Sequence, residues 1–567
     1  MRRLLETKWL AQHMGDPGLV VIDASPSQEY LTAHIKNAVS ASFDSEVYLS
    51  RGVNTSYGGG IDLFTDPDSP LPFKDGPPEY VGEIIRSLGI NKDSTAVIYD
   101  NGASFHATRV FWTLSFHGLE KVYILDGGLE KWEMEGLPLT QQFPDVKKGN
   151  FVPSIPDQSI VVDTDYVLKN LGNPDVVLVD SNLSSWYYGD FLAYSRRGHL
   201  PNAINVPYPE YFGDDKAWKP ENELREMFQI LGVSPDKEII AYCGGNPAAS
   251  SLYFTLRYVL GYPKVRFYLE ALIGWLSDPR DLPVHTYANE HILRDAEWVR
   301  WFAGERIQYL VSDSKVRTVD VRSREKYKAG HIPHALNIPV EEMVYGSGIG
   351  LRDWETVLGS KGIAVDDEIV IYDDGQNIFS SIFFWLMKYF GHKKVSILNG
   401  GLSAWSEKEF NVTRGDTIIA EPKHKFDIAI GPSSYTISLK SQMRLLNPAE
   451  GDASRNVPRI WLISSSTGSI HLDLSHDSTQ VHVPYEFYLE KNGRIKSAGE
   501  IFAIQDSAGL SKFSDIVCYS ESLKEATFSY LILQLMGYPR TRVFAPQIRI
   551  QNQLAKGIRS HGANTKQ

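Results

Sequence analysis

The sequence predicts an α/β protein of four tandem domains, each a parallel sheet flanked by helices. Three observations support this. A strand–loop–helix–glycine–strand block occurs four times, a further strand motif stands upstream of each block, and 567 residues at about 150 per domain leave room for four.

The block opens on an apolar run that ends in tyrosine and one variable residue. The four copies read Ala96-Val97-Ile98-Tyr99-Asp100, Ile239-Ile240-Ala241-Tyr242-Cys243, Ile369-Val370-Ile371-Tyr372-Asp373 and Ile516-Val517-Cys518-Tyr519-Ser520. A polar or Gly-containing loop follows, then a helix-like stretch rich in aromatics and leucine. It stops at Gly118, Gly261, Gly391 or Gly537, which stands 18 positions after the variable residue in three copies and 17 in the fourth. A second apolar run closes each block: 122–125, 265–268, 395–398 and 542–544. Strand, helix, glycine stop and strand make a βαβ unit, and near-continuous apolar strands suit a parallel sheet buried on both faces.

Upstream of the first three blocks stands an apolar run closed by aspartate: Asp23, Asp180 and Asp320. The fourth copy, Trp461-Leu462-Ile463-Ser464, keeps the run and loses the acid. Each run leads to a turn and a second strand, as in His34-Ile35-Lys36-Asn37-Ala38, Gly198-His199-Leu200-Pro201 and Gly330-His331-Ile332-Pro333. In the fourth copy only Val481-His482-Val483-Pro484 remains. Pattern gives way to Pro, Gly and charge near 141–150, 281–286 and 414–431, so the expected domains are 1–145, 146–285, 286–420 and 421–567. The polar stretch 50–78 reads as a long loop in the first. Its Gly58-Gly59-Gly60 neither follows a strand nor opens a helix, as a phosphate cradle would require.

Composition narrows the function. Hydrophobic residues make up 43% and charged residues 22%, ordinary for a folded chain. No run approaches the ~18 apolar residues a membrane helix needs. Charge in Met1-Arg2-Arg3-Leu4-Leu5-Glu6 interrupts any signal-peptide core, so a cytoplasmic protein is expected. A net charge of -12 argues against nucleic-acid binding. Two cysteines, Cys243 and Cys518, exclude a disulfide framework and Cys-rich metal or cluster sites, and no His-Glu-x-x-His set occurs; neither metal nor cofactor is expected.

The run Val319-Asp320-Val321-Arg322 with Tyr327-Lys328-Ala329-Gly330-His331-Ile332-Pro333, the sequence Tyr242-Cys243-Gly244-Gly245, and the pair Leu125-Asp126-Gly127-Gly128-Leu129 and Leu398-Asn399-Gly400-Gly401-Leu402 resemble the rhodanese family. The likeness spans nearly the whole chain. It implies four tandem rhodanese-like domains, and residues 1–285 resemble two-domain sulfurtransferases that pair an inactive copy with a catalytic one. Asp100 and Cys243 fit those two positions; Asp373 and then Ser520 occupy them in the second half.

On this resemblance Cys243 is the nucleophile, carrying sulfane sulfur as a persulfide in a ping-pong cycle. The residues agree with that chemistry. Cys243 ends a strand, and Gly244, Gly245, Asn246 and Ala248 lead into a helix around 252–260, so loop N–H groups and about half a positive charge at the helix start face the sulfur. Such a setting should lower the thiol pKa. A buried structural cysteine is the alternative. Pro247 has no N–H and withholds one donor, and Ala249 stands where a Cys-x5-Arg phosphatase needs arginine. Cys243-Gly244-Gly245 resembles the loop of members that prefer 3-mercaptopyruvate over thiosulfate. Arg196 and Arg197 sit where that type places a carboxylate-binding arginine, the alternative being a solvated surface pair. The family's second arginine is replaced within Trp186-Tyr187-Tyr188-Gly189.

His199 shares its place with His34 and His331 of cysteine-free copies, which favours a structural turn histidine. Asp100 and Asp373 lack a second catalytic partner in sequence, and Cys518 falls on strand positions and reads as buried. Two readings remain. One is a sulfurtransferase moving sulfur from thiosulfate or 3-mercaptopyruvate to cyanide or a thiol. The other is a sulfur-relay or protein-binding scaffold, with a sulfur-acceptor protein as partner.

Overall fold

The computed structural model of the protein describes residues 3–42, 63–66, 68–69, 71, 74–102, 104–190, 192, 195–302, 316–345, 351–416, 426, 428, 458–465 and 478–544. The chain divides into two compact units, 1–288 and 289–567. The triglycine 58–60 and most of the stretch 50–78 lie outside the described residues.

The first unit contains two five-stranded parallel sheets. One comprises β1 (Leu4–Leu5), β2 (Leu19–Asp23), β3 (Val39–Ser40), β4 (Thr95–Tyr99) and β5 (Val122–Leu125), in the order β1-β5-β4-β2-β3. The other comprises β6 (Val161–Val162), β7 (Val176–Asp180), β8 (Ile204–Asn205), β9 (Glu238–Tyr242) and β10 (Val265–Tyr268), in the corresponding order β6-β10-β9-β7-β8. The apolar runs ending in Tyr-variable residue and in Asp are thus adjacent central strands. Val21 lies opposite Val97, and Leu178 opposite Ile240.

The second unit repeats this plan. Its first sheet, β11 (Leu293–Arg294), β12 (Val316–Asp320), β13 (Leu336–Asn337), β14 (Glu368–Tyr372) and β15 (Val395–Leu398), runs β11-β15-β14-β12-β13. Its second holds four strands among the described residues, β16 (Arg459–Ile463), β17 (Ser478–His482), β18 (Asp515–Tyr519) and β19 (Thr541–Phe544), in the order β17-β16-β18-β19.

One long helix follows each variable residue: α1 (Phe105–Phe116), α2 (Pro247–Phe254), α3 (Ile378–Tyr389) and α4 (Leu523–Leu535). All four stop glycines take positive φ, between 70° and 99°, the left-handed conformation that ends a helix without a Cβ clash. Within the first unit α1 packs on α2, with Thr108 Oγ1 within 3.0 Å of both Ser250 and Ser251 hydroxyls. In the second unit α3 packs on α4 through Ser381 and Thr527 at 3.0 Å. These small hydroxyls let the helices approach closely while pairing one another.

The recurrent Asp, His and Tyr form one structural device. Tyr99, Tyr242 and Tyr372 accept the backbone N–H of Ile35, Leu200 and Ile332 at 3.0–3.2 Å, and each hydroxyl donates to the aspartate that closes the neighbouring strand. His34, His199 and His331 are buried, and each bonds through Nδ1 to a tyrosine carbonyl at 2.8 Å. A carbonyl only accepts, so Nδ1 carries the proton. The same tyrosines, Tyr30, Tyr187 and Tyr327, stack on the imidazoles and donate to alanine carbonyls further on. The histidines are therefore turn-holding residues, as their recurrence in cysteine-free copies suggested.

Candidate active site at Cys243

Cys243 follows β9 directly and is 2% exposed. Its sulfur receives backbone N–H groups from Gly245, Asn246 and Ala249. Asn246 reaches this position with φ of 82°, in the left-handed region asparagine tolerates better than most residues, and its Nδ2 is tied to the Leu269 carbonyl at 2.9 Å. Pro247 is the first residue of α2, where no intrahelical bond needs its missing N–H. The expected shortage of donors is therefore met by neighbours. Ala248 is buried in the first turn of α2; the third donor is Ala249, which sequence reasoning had singled out only for lacking an arginine.

The loop is pinned from two sides. Leu272 and Ile273 donate to the carbonyls of Cys243 and Gly244 at 2.9 and 3.2 Å. Gly244 N–H donates to Asn182 Oδ1 at 2.9 Å. In the first and third copies Leu129 and Leu402 give the equivalent support, and the residue before each is Gly128 or Gly401, where an added Cβ would lie 2.4 Å from the Asp100 or Asp373 carbonyl. Here that position is Ala271, held at φ of 54°. Left-handed backbone at a residue with a Cβ is strained, and the strain sits beside the cysteine loop.

The expected lowering of the thiol pKa is overturned. Burial pushes the Cys243 thiol up to about 11, against three N–H groups that lower it, and nearby Asp180 adds to the rise. Dehydrating a thiolate outweighs the loop's dipoles, so the resting group is a neutral thiol. Cys518, on β18, is fully buried, and burial raises it still further.

The other slots repeat the cradle with different occupants. Asp100 accepts N–H bonds from Gly102, His106 and Ala107 at 2.9–3.1 Å, yet burial pushes its carboxyl up to about 6. Asp373 accepts four, from Gly375, Asn377, Phe379 and Ser380, at 2.9–3.2 Å. Ser520 accepts from Ser522 N–H at 3.2 Å and donates to Glu525 at 2.5 Å. Three of the four slots thus wrap N–H groups around a carboxylate or a sulfur.

The arginines are held by partners outside the cysteine loop. Arg196 Nη1 is 3.0 Å from Asp281, while its Nη2 is buried with no hydrogen-bond partner. Arg197 Nη1 donates to the carbonyls of Gly189 and Asp190 at 2.6 and 2.7 Å, which ties it to the 184–190 turn. Neither bonds to the Cys243 loop among the described residues. Sequence reasoning passed over Asn182, two positions after Asp180. The repeat offered a signal: the same position is Ser25 in the first copy and Arg322 in the third, where Arg322 reaches Asp374 beside the slot. Among the described residues no three His, Cys, Asp or Glu side chains converge as a metal site, and no helix is long and apolar enough to cross a membrane.

Known proteins resemble the chain over about half of its length. It is 34% identical over 289 residues to the 3-mercaptopyruvate sulfurtransferase of Escherichia coli, covering 49% of this chain and 95% of that protein. It is 28% identical over 284 residues to a sulfur carrier protein of Thermus thermophilus, covering 48% and 93%. A thiosulfate sulfurtransferase of Azotobacter vinelandii is 26% identical over 287 residues, covering 50% and 96%. The rhodanese-like domain profile matches residues 6–135, 163–278 and 305–408, more than half of the sequence, and the chain belongs to that family.

Proposed function

We propose that the protein is a sulfurtransferase in which Cys243 takes a sulfane sulfur from 3-mercaptopyruvate or thiosulfate and hands it to cyanide or a thiol. The observation that carries this reading is the N–H cradle around the Cys243 sulfur, built like those that hold carboxylates in the first and third copies. Such a cradle suits a sulfur that becomes anionic during reaction. The names of the sulfurtransferase relatives support it.

With thiosulfate, the Cys243 thiol gives up its proton to water, the thiolate attacks the outer sulfur, the S–S bond breaks, and sulfite leaves with the electron pair. With 3-mercaptopyruvate, the C–S bond breaks and the former thiol proton ends on the carbon, giving pyruvate. Either route leaves the Cys243 persulfide anion. Cyanide then attacks its outer sulfur, thiocyanate leaves, and the thiolate returns. Arg196, with one face on Asp281 and Nη2 uncommitted, is the arginine suited to a substrate carboxylate. Arg197, held by two carbonyls, orders the turn beside it. On this reading 421–567 is a fourth rhodanese-like domain with no sulfur carrier, and the reaction is cytoplasmic.

Thiocyanate formation from each donor, with wild type and Cys243→Ser compared, tests the proposal. Turnover that disappears in the variant is expected. Turnover that survives would place the chemistry elsewhere. The Thermus relative's role as a sulfur carrier favours a second reading, delivery to an acceptor protein; a Cys243 persulfide that forms but is not discharged by cyanide would select it.

A further inference from the structure

A buried carboxamide, that of Asn182, stands beside the cysteine loop. Asn182 is 4% exposed and sits two residues beyond the end of β7. Its own N–H donates to Asp180 Oδ1 at 2.8 Å, and its carbonyl accepts from Asn205 Nδ2 at 2.8 Å, so the backbone is fixed on both sides. Its Oδ1 accepts from Gly244 N–H, which can only donate, and this assigns the amide unambiguously. The Nδ2 group is then the free end. It is buried and has no hydrogen-bond acceptor. A buried amide N–H with no acceptor is costly unless something completes it.

The repeats show that this position addresses the slot. In the third copy Arg322 occupies it, with Nη2 on Asp320 at 2.6 Å and Nη1 on Asp374, the residue after the slot, at 3.2 Å. In the second copy the shorter asparagine reaches the same following residue, now Gly244, and spends only its oxygen there. Because the two heteroatoms of one carboxamide stand a fixed short distance apart, Nδ2 is held next to the loop that carries Cys243.

We infer that Asn182 Nδ2 is a hydrogen-bond donor to the anionic group of the sulfur donor as it meets Cys243. The inference rests on the sulfur-transfer reading, and its ligand is a small anion bearing an oxygen or sulfur acceptor. A neutral donor suits this place. Asp180 already disfavours charge on the sulfur, and a second carboxylate would add to that repulsion, whereas an amide supplies N–H groups with no net charge.

The test uses the full chain and two alkylating probes of similar size, anionic iodoacetate and neutral iodoacetamide. Labelling rates at Cys243 are read by peptide mass spectrometry at one pH. Asn182→Leu removes the donor with little change in volume. Asn182→Ser, which carries the residue of the first copy, guards against misfolding. We expect the iodoacetate-to-iodoacetamide rate ratio to fall about tenfold or more in both variants, as for loss of a hydrogen bond to a charged group, while iodoacetamide labelling changes little. An unchanged ratio, or equal loss with both probes, overturns the inference and leaves Asn182 as a prop for Gly244. Turnover by wild type is measured in parallel. If it is absent with both donors the sulfur-transfer reading fails, yet the probe ratio still decides whether Asn182 recognises an anion.

Discussion

Cys243 should behave as a slow, strongly pH-dependent thiol rather than as an activated one. Burial moves it from 9.0 to about 11. At pH 8 the thiolate fraction is then ~0.001, about a hundredfold below that of a cysteine at the unperturbed value, and it grows tenfold with each pH unit. Iodoacetamide labelling followed by peptide mass spectrometry from pH 7 to 10 should give a rising line of unit slope with no plateau. The upper limit matters. A folded-state pKa above the unfolded one gives stability that is complete below pH 9 and is lost as pH rises through 11, here about 2.7 kcal/mol for two pKa units. Cys518 has no such cradle among the causes acting on it and is raised further, so its labelling should lag throughout. A plateau for Cys243 between pH 7 and 8 would refute the balance drawn here, because the N–H groups would then outweigh burial.

Three further outcomes follow from the geometry of the first unit. Arg109 is fully buried and paired with Asp75, which Thr113 and His117 also approach at 3.2 and 3.3 Å; Arg109→Met should cost about 3–5 kcal/mol in urea unfolding, and Asp75→Asn added to it should recover part of that loss. Asp100, raised by burial from 3.8 to about 6, contributes stability present below pH 3.8 and lost as pH rises through 6, roughly 3 kcal/mol in all. Burial lowers its neighbour His106 from 6.5 to about 4, so that contribution is lost in the opposite direction, as pH falls. Urea midpoints of Asp100→Asn should therefore keep only the rise between pH 4 and 6.5, and a midpoint that still falls between pH 5 and 7 would contradict this. Ala271→Gly should raise the melting temperature, because relief of the left-handed strain, about 1–2 kcal/mol, exceeds the ~0.5–1 kcal/mol entropy cost of glycine.

The repeat made most of this fold legible. Strands such as Ile239-Ile240-Ala241 are apolar on both faces because helices cover both, so their pattern survives without alternation, and each stop glycine is required by its positive φ. Loops were harder, because their geometry depends on counting. The helix starts five residues after Asp100 and Asp373 but four after Cys243, yet the stop glycine stays 18 away. The second copy absorbs the additional residue as a π-helical turn at Thr255–Val259, where Leu260 N–H bonds to the Thr255 carbonyl. Constant spacing concealed that shift, and with it the fact that Ala249 is the third donor. The thiol pKa was misjudged for a different reason: donors can be read from glycines and a helix start, whereas dehydration depends on long-range packing that no local motif records.

The four slots also explain why a raised thiol pKa and a preorganised cradle can serve one reaction. In the first and third copies the N–H groups hold a carboxyl group that belongs to the chain, so their loops are already satisfied. At Cys243 the occupant is a neutral thiol, and the same groups have little charge to hold until sulfur transfer begins. On the sulfur-transfer reading, charge then develops on the attacking sulfur and afterwards on the outer atom of the persulfide. Donors already aimed at that point stabilise the developing anion without first reorganising. Burial, which costs reactivity at rest, also keeps water from competing for those donors and from the sulfur itself. A permanently ionised cysteine would have its cradle occupied beforehand, as Asp373 does, and less of that stabilisation would remain for the reacting state.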